Sequence, residues 1–343
     1  MARIRTLQEH LNRWMLGYVS LAIIAGLVLG SALDGITRAN TGAVGGLTTL
    51  AVFLIIYPMM VNVRFEALKR AGRNVRGIGI ALFFNFVWAP IVGWLLATLF
   101  LPDPLLALGF LLVMVVPCSS MAIGYTGLAK GDLELATVVV ALSFVLAIAA
   151  VPLWMALFAS RYAVAVPMGD LVSSILTVLV APMLLGYATR RLLLRRLGAE
   201  RFASIAPLFP AISLLGMYAI VFLIFFGKAA LILDRWQTVV VLLIPNALFV
   251  GLTLLVLTWL DRRLGLGYAE HMAVAFTSTG KNNGTAIAIA TTAFSPLVAI
   301  PAATMPIFQI LLMVLYLRAA PWLRVRFGAG GRVTQPTPAA GSI

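Results

Sequence analysis

Charged residues are scarce in this chain: only 10% of its 343 residues are Asp, Glu, Lys or Arg, while 62% are hydrophobic. So little polar surface cannot cover one soluble core, which excludes an ordinary water-soluble globular fold. Cysteine occurs once and histidine twice. A single cysteine excludes disulfides within the chain, and His10 and His271 cannot form a metal site with helical spacing. We therefore expect no bound metal and no cofactor.

Long apolar runs separated by short polar segments are present instead. A run of about 18 to 25 residues is long enough to cross a hydrocarbon layer roughly 30 Å thick as a helix. We predict an all-α membrane protein with ten transmembrane helices. Their approximate spans are 15–33, 43–62, 77–100, 104–128, 134–159, 167–189, 203–226, 237–260, 269–294 and 296–318.

Most of the 25 lysine and arginine residues fall in the loops on the side that holds both termini. This asymmetry predicts cytoplasmic termini in a multi-pass protein of the plasma (inner) membrane, surrounded by membrane lipid. The net charge of +14 is therefore interpreted as an orientation signal. No nucleic-acid partner is expected, because no RNA- or DNA-binding motif accompanies the basic loops.

Ten spans divide into two halves of five, and an odd number of spans per half gives any internal repeat an inverted topology. We predict repeats at 1–162 and 163–327, followed by a disordered cytoplasmic tail at 328–343 that is rich in Gly and Pro. Helix 4 then corresponds to helix 9. Transporters of this kind tend to place their sites where corresponding helices are interrupted near the midplane.

Helices 4 and 9 both contain a cluster of helix-breaking residues: VVPCSSMAIGYTG, Val115 to Gly127, and TSTGKNNGT, Thr277 to Thr285. Pro117 removes a backbone donor, and the glycines and asparagines of the second cluster are weak helix formers. Freed backbone at membrane depth is tolerated only inside protein or along a wet cavity. We therefore predict that helices 4 and 9 are broken, cross each other and form the transport site.

Lys281 is a basic residue within a predicted span, and none of the eleven acidic residues lies well inside a span. An ammonium at the bilayer centre costs at least about 2.5 kcal/mol, and burial without a counter-ion favours the neutral amine. We predict that Lys281 exchanges a proton as its surroundings change, and so couples transport to protons. The alternatives are snorkelling toward an interface and packing against helix-end carbonyls.

Polar side chains beside Lys281 are able to coordinate a small solute. We predict that the substrate contacts Cys118, Ser119, Asn282, Asn283 and Thr285. Thiolate is the ligand that thiophilic ions prefer. The alternative for Cys118 is a small buried apolar residue, and Asn62, Asn85 and Asn246 are interpreted as hydrogen-bonding links between helices.

No catalytic residues are expected. The stretch from Ser278 to Lys281 spells S-x-x-K, but the accompanying S-D-N and K-T-G motifs of penicillin-binding proteins are absent. No soluble domain or credible catalytic set accompanies the predicted spans, so we predict that the protein is not an enzyme.

Four stretches resemble the arsenical-resistance permeases that export arsenite, within the larger superfamily of bile acid:sodium symporters. LIIYPMMVNVRFEALK, Leu54 to Lys69, and FFNFVWAPIVGWLLATLF, Phe83 to Phe100, are similar to the arsenite branch. PCSSMAIGYTGLAKGD, Pro117 to Asp132, is similar to both branches, and FSPLVAIPAA, Phe294 to Ala303, to the wider superfamily. The resemblance implies that Cys118 is the functional cysteine.

The chain departs from both branches in helix 9. Thr285 stands where the arsenite permeases usually carry a glutamate. Against the E-x-G-x-Q-N stretch of the sodium-coupled branch, Thr277 replaces the glutamate and Lys281 the glutamine; a slip of one residue would put Ser278 and Asn282 there instead. An ammonium about 4 Å from sodium is repelled by several kcal/mol at intermediate dielectric, so Lys281 and Thr277 are predicted to form the ion-coupling position without sodium.

These observations predict a proton-linked secondary transporter that exports arsenite, antimonite or a similar small inorganic oxyacid. The alternative is bile acid:sodium symporter-like transport of an organic anion, with Lys281 pairing with a carboxylate.

Overall fold

A computed structural model of the protein describes residues 2–68, 74–162, 168–234 and 236–327. The predicted tail at 328–343 and the first five residues of the predicted second repeat lie outside these ranges. Helices make up nearly all of the described chain. They are α1 Ala2–Arg13, α2 Met15–Ala32, α3 Asp34–Ala39, α4 Thr41–Asn62, α5 Val75–Phe83, α6 Ala89–Phe100, α7 Pro104–Val115, α8 Met121–Leu128, α9 Leu133–Tyr162, α10 Met168–Ile175, α11 Ala181–Ile205, α12 Leu208–Gly227, α13 Ala229–Asp234, α14 Trp236–Val241, α15 Leu243–Arg263, α16 Tyr268–Thr279, α17 Asn283–Ala293, α18 Ile300–Arg318 and α19 Ala320–Phe327.

Two π-helical segments precede proline residues. Phe84–Trp88 joins α5 to α6, and Leu176–Val180 joins α10 to α11; each is followed by an Ala-Pro pair. A proline has no N–H for the preceding turn, so backbone carbonyls just before it lose their usual partners. Wider π turns at such points continue the helix while leaving some carbonyls free for other contacts.

Eight helical stretches in the described residues are long and apolar enough to cross a membrane. They are Met15–Ala32, Gly42–Asn62, Val75–Phe100, Leu133–Phe158, Met168–Ile205, Leu208–Gly227, Leu243–Arg263 and Ile300–Arg318. Eight of the ten predicted spans therefore correspond to full-length helices, and the remaining two are the spans that we predicted to be broken. The predicted spans 104–128 and 269–294 are each divided into two short helices, α7 with α8 and α16 with α17.

The helices form two packed groups. In one, α12 packs against α2 and α4, and α11 packs against α4. Gly26 and Gly30 of α2 allow this approach, because a Cβ at either position would collide with the backbone of α12 at Phe222 or Phe226. In the other group, α16 packs against α5, α8, α9 and α15, while α7 packs against α6, α9 and α18. The interrupted helices lie in this second group.

Candidate functional site

The two interruptions meet inside the second group of helices. The first break, residues 116–120, separates α7 from α8, and the second break, residues 280–282, separates α16 from α17. Cys118 and Lys281 pair across the breaks in antiparallel fashion. Two hydrogen bonds join the breaks: Ser119 N–H donates to the Gly280 carbonyl at 2.7 Å, and Asn282 N–H to the Pro117 carbonyl at 3.0 Å. Each break thus supplies the backbone partners that the other lost by leaving the helix.

Lys281 is almost completely buried, with 1% of its surface exposed. Its Nζ donates to the backbone carbonyl of Met114 at 2.9 Å, and to the backbone carbonyl and side-chain Oδ1 of Asn85 at 3.1 Å each. All three acceptors are neutral. Lys281 therefore packs against helix-end carbonyls, one of the two alternatives that the sequence left open, and it is not at an interface.

The carbonyls that bind Lys281 are free for identifiable reasons. In the π segment, Ala89 N–H donates to the Phe84 carbonyl, and Pro90 offers no N–H to Asn85. Met114 lies in the last turn of α7, just before the chain becomes extended at Val116. Unpaired carbonyls at this end of a helix carry partial negative charge, which favours a cation.

The donors and acceptors around Nζ indicate its charge in this conformation. The amide nitrogen of Asn85 donates to the carbonyls of Ala81 at 2.9 Å and Thr277 at 3.0 Å, so its Oδ1 faces Lys281 as an acceptor. Three obligate acceptors match the three donors of an ammonium. A neutral amine has only two donors, so its lone pair would face one of these oxygens. The acceptors around Nζ therefore match an ammonium in number and direction.

Cys118 is fully buried and Lys281 almost completely so, and we call this conformation closed. The hydroxyl of Ser143 donates to the Val140 carbonyl at 2.8 Å, so its oxygen accepts from Cys118 N–H at 3.3 Å and from the thiol at 3.2 Å. The thiol is therefore protonated and already engaged. In this conformation the sulfur is not accessible to a solute.

The paired asparagines lie at the start of α17. Asn282 caps the helix by accepting from Thr285 N–H at 3.1 Å, and its amide nitrogen contacts the Met59 sulfur at 3.3 Å. Asn283 donates to Gln309 Oε1 at 3.4 Å, and Gln309 donates to the Lys281 carbonyl at 3.3 Å. Both asparagines are buried.

Several polar atoms beside the second break have no partner among the described residues, although they are buried. They are the hydroxyl oxygens of Ser278 and Thr285 and Oδ1 of Asn283. A buried acceptor without a donor costs about 1–3 kcal/mol, so such atoms are expected to find partners in another state or with a bound solute. This cluster extends the predicted set of residues to Ser278.

The hydroxyl groups of two predicted site residues already form hydrogen bonds with the backbone of the protein. The Thr277 hydroxyl donates to the Ala273 carbonyl of its own helix at 2.7 Å, so it is not directed at Lys281 as an ion ligand. Ser119 is half-buried, and its hydroxyl oxygen accepts from Met121 N–H at 3.2 Å. The backbone carbonyl of Thr277 accepts a hydrogen bond from the Asn85 amide, and this contact orients the Asn85 side chain toward Lys281.

Comparison of the chain with models of known protein families identifies its family. Residues 49–235 match the model of the Sodium Bile acid symporter family, which is more than half of the chain. The chain belongs to the sodium bile acid symporter family. Our assignment from the sequence motifs is thereby confirmed, and the protein is a multi-pass membrane transporter.

Several proteins are similar in sequence to this symporter family member. It is 29% identical over 308 residues to the arsenical-resistance protein Acr3 of Corynebacterium glutamicum, covering 84% of this chain and 81% of the relative. It is 24% identical over 250 residues to Acr3 of Alkaliphilus metalliredigens, covering 69% and 70%. The uncharacterized sodium-dependent transporter YocS of Bacillus subtilis is 27% identical over 262 residues, covering 76% and 78%. The family and these names support a transport role over an enzymatic one.

Proposed function

We propose that this symporter family member is a proton-linked secondary transporter that exports arsenite, antimonite or a similar small oxyacid from the cytoplasm. The observation that carries this proposal is the direct pairing of Cys118 with Lys281 at the meeting point of two interrupted helices. It brings a ligand for thiophilic elements and a proton-binding amine to one place. The Acr3 relatives, which are named for arsenical resistance, agree with a thiophilic solute.

The proposed architecture has ten membrane crossings arranged as inverted repeats at 1–162 and 163–327, with both termini cytoplasmic in the plasma membrane. The interrupted pairs α7–α8 and α16–α17 supply the two crossings that are not single helices. The next crossing of the same half also forms a hydrogen bond to each break. Ser143, 25 residues after Cys118, accepts from the Cys118 N–H, and Gln309, 28 residues after Lys281, donates to the Lys281 carbonyl. Similar spacing in both halves supports a common plan.

In the proposed cycle, the closed conformation contains ammonium at Lys281 and thiol at Cys118. Opening toward the cytoplasm separates the breaks and frees Cys118 to replace one hydroxyl of As(OH)₃; the sulfur–arsenic bond forms and one water leaves. Asn282, Asn283, Ser119 and Thr285 donate to or accept from the remaining hydroxyls. Water then reaches Lys281, whose three acceptors are no longer aligned, and the amine exchanges its proton. Reversal of these steps on the other side releases As(OH)₃.

A coupling ammonium explains how this chain works without the carboxylate that its two related branches carry. In the alignment that puts Lys281 at the glutamine of the sodium-coupled branch, a cation held by three oxygens stands where sodium would bind, and the two would repel each other. In the alternative alignment Lys281 is the neighbouring residue. An organic-anion symporter remains the second candidate, since Lys281 could pair with a carboxylate and one relative is named as sodium-dependent. Sodium stimulation of transport would favour it.

The function is tested in a bacterial host that lacks its own arsenite exporter. Expression of this chain should raise the arsenite concentration that halves growth, and lower the arsenic retained by the cells. The Cys118→Ser protein, expressed at equal membrane level, is the control. Equal sensitivity with and without the chain, at a verified membrane level, would reject arsenite as the solute.

Replacing Asn85 by leucine should shift the acid limb of the transport pH profile to lower pH. The leucine removes one of the three acceptors of Lys281, and a hydrogen bond to a charged group contributes about 1.5–3 kcal/mol, so a shift of roughly one to two pH units is expected. Arsenite uptake into everted vesicles, measured across pH, checks this.

Asn246→Leu provides a matched control for this shift. Asn246 is also a buried amide, but it donates to Thr304 at 3.4 Å and does not contact Lys281. Its loss should lower protein yield without moving the pH profile. An unmoved profile in the Asn85 variant, or an equal shift in both variants, would show that Asn85 does not act through Lys281.

A further inference from the structure

A second buried polar chain lies at the other end of α16, away from Lys281. His271 Nδ1 is 2.7 Å from Asp261 Oδ2, and its Nε2 is 2.6 Å from the Tyr316 hydroxyl. The Tyr316 oxygen is 2.6 Å from the Thr258 hydroxyl, which is 2.6 Å from the Leu254 carbonyl. Asp261 and His271 are fully buried. These contacts link the ends of α15, α16 and α18.

The directions of three of these four hydrogen bonds follow from the fixed end of the chain. A backbone carbonyl only accepts, so Thr258 donates to Leu254, Tyr316 must donate to Thr258, and His271 Nε2 must donate to Tyr316. The hydrogen bond between His271 Nδ1 and Asp261 then requires one further proton, which lies either on Nδ1 or on the carboxyl group. The two residues are either imidazolium with carboxylate or neutral imidazole with carboxylic acid. Both arrangements contain one proton more than an aspartate beside a neutral histidine.

The surroundings favour a pair without net charge. Oδ1 of Asp261 is buried and has no hydrogen-bond partner among the described residues. A lone carboxylate in such a place would be strongly disfavoured, whereas a proton shared with His271 leaves the pair neutral. The nearby Glu270 carboxylate already accepts from Asn74 at 2.7 Å and from Gly267 N–H at 3.1 Å.

The other groups around the pair come from α5, α16 and α19. Arg76 of α5 and Glu270 of α16 are charged groups whose fields reach Asp261. The Phe327 ring of α19 stacks on the His271 ring with centroids 4.1 Å apart. One turn earlier, Arg324 donates to the Ala129 carbonyl at 3.2 Å and lies 5.0 Å over the ring of Tyr268. Helix α19 therefore covers the pair and contacts the neighbouring ends of α8 and α16.

We propose that Asp261 and His271 form a second buried proton-binding site, separate from Lys281, and that its proton keeps α19 docked over the ends of α15, α16 and α18. When the proton leaves, His271 keeps hydrogen on Nδ1 for the carboxylate and loses it from Nε2. Tyr316 must then turn its hydroxyl toward His271, so the chain loses either its bond to Thr258 or, if Thr258 turns to donate to Tyr316, the bond from Thr258 to Leu254. The buried carboxylate also becomes charged, which draws water in beneath Phe327. This inference does not depend on which solute the protein carries.

Nitrogen NMR of the histidine ring tests the site in the full-length protein in lipid nanodiscs. The chain has two histidines, so His10→Gln leaves His271 as the single reporter. Near neutral pH its Nε2 should carry hydrogen, and raising the pH should convert the ring to the Nδ1–H form. Adding Asp261→Asn should abolish this conversion, because the amide has no proton to lose and can donate to Nδ1. Glu270→Gln, which changes the adjacent carboxylate, should leave it in place.

A ring already in the Nδ1–H form near neutral pH, or a conversion that survives Asp261→Asn, would overturn the proposal. If the Asp261 variant fails to fold, Tyr316→Phe answers the same question. It keeps the ring but removes the acceptor for Nε2–H, so His271 should adopt the Nδ1–H form at lower pH; an unchanged titration would also overturn the proposal. In Lys281→Met the conversion should persist, which separates this site from the proposed transport function.

Hydrogen exchange reports the docking of α19 in the same samples. After correction for the intrinsic effect of pH, backbone amides of α19 should exchange faster at alkaline pH in the parent protein. In the Asp261→Asn protein this extra acceleration should be absent. Equal acceleration in both proteins would show that the proton on the pair does not hold α19.

Discussion

Replacing Lys281 by methionine should abolish the proton-driven accumulation of arsenite in everted membrane vesicles. Methionine is close in volume to the aliphatic part of lysine, but it has no donor for the carbonyls of Asn85 and Met114 and binds no proton. We expect a loss of at least about 100-fold, equivalent to roughly 2.7 kcal/mol of transition-state stabilisation. Uptake is measured with an imposed pH gradient and expressed per amount of protein in the membrane.

The unpaired acceptors around the methionine will also reduce stability, each by about 1–3 kcal/mol. Lys281→Arg therefore provides the matched control, because arginine donates to the same oxygens but does not release its proton. It should raise the amount of folded protein above that of the methionine variant without restoring the pH dependence. Proton-driven uptake that survives in either variant would remove Lys281 from the coupling mechanism.

Replacing Cys118 by serine should reduce arsenite uptake at least about tenfold, or roughly 1.4 kcal/mol. Serine keeps a donor for the Ser143 oxygen, which lies 3.2 Å from the sulfur, so the fold around the first break is expected to persist. What disappears is the sulfur, and with it the preferred bond to a thiophilic element. Uptake of radioactive arsenite into everted vesicles gives the measurement.

A variant of Ser143 distinguishes the contribution of the Cys118 sulfur from that of its hydrogen bond. Ser143→Ala retains the sulfur but removes the partner that engages the thiol in the closed conformation. Its arsenite uptake should remain well above that of Cys118→Ser. If both variants lose uptake equally, an undisturbed first break, and not the sulfur in particular, is what transport requires. Undiminished uptake by the Cys118 variant would support the organic-anion alternative.

The residues that interrupt the helices were visible in the sequence because proline, glycine and asparagine act locally. Pro117 and the run from Gly280 to Gly284 weaken helix wherever they stand, and the structure interrupts α7–α8 and α16–α17 at these residues. The same clusters explain why eight full-length spans are found in the described residues: the other two predicted spans are the ones expected to be broken, and each consists of two short helices.

The partners of Lys281 could not be predicted, because they are two backbone carbonyls and one side-chain amide oxygen brought from other helices. Asn85 is 196 residues away from Lys281 and Met114 is 167 residues away. The only sequence signal for the free carbonyl of Asn85 is Pro90, which has no N–H to donate. Pro90 is the expected partner of Asn85 only in a π-helix, and the sequence does not show that this segment is π-helical. Sequence reasoning therefore found an amine without a counter-ion, but not the three neutral oxygens that accept hydrogen bonds from it.

The Asp261–His271 pair was missed for a related reason. Its residues are ten positions apart and lie on different helices, so no helical spacing joins them. The sequence argument tested histidine only as a metal ligand and considered acidic residues only as partners for Lys281. The turn between α15 and α16 brings the carboxylate and the imidazole together, and Tyr316 arrives from α18.

Nitrogen NMR of the lysine side chains tests the central claim, that Lys281 exchanges its proton between conformations. The chain has four lysines, so the signal missing from Lys281→Met identifies the buried one. The closed, solute-free protein should show an ammonium at Lys281 throughout the physiological pH range. With arsenite bound, the same nitrogen should lose its proton within that range. An unchanged ammonium signal at every pH, with and without arsenite, would contradict the mechanism.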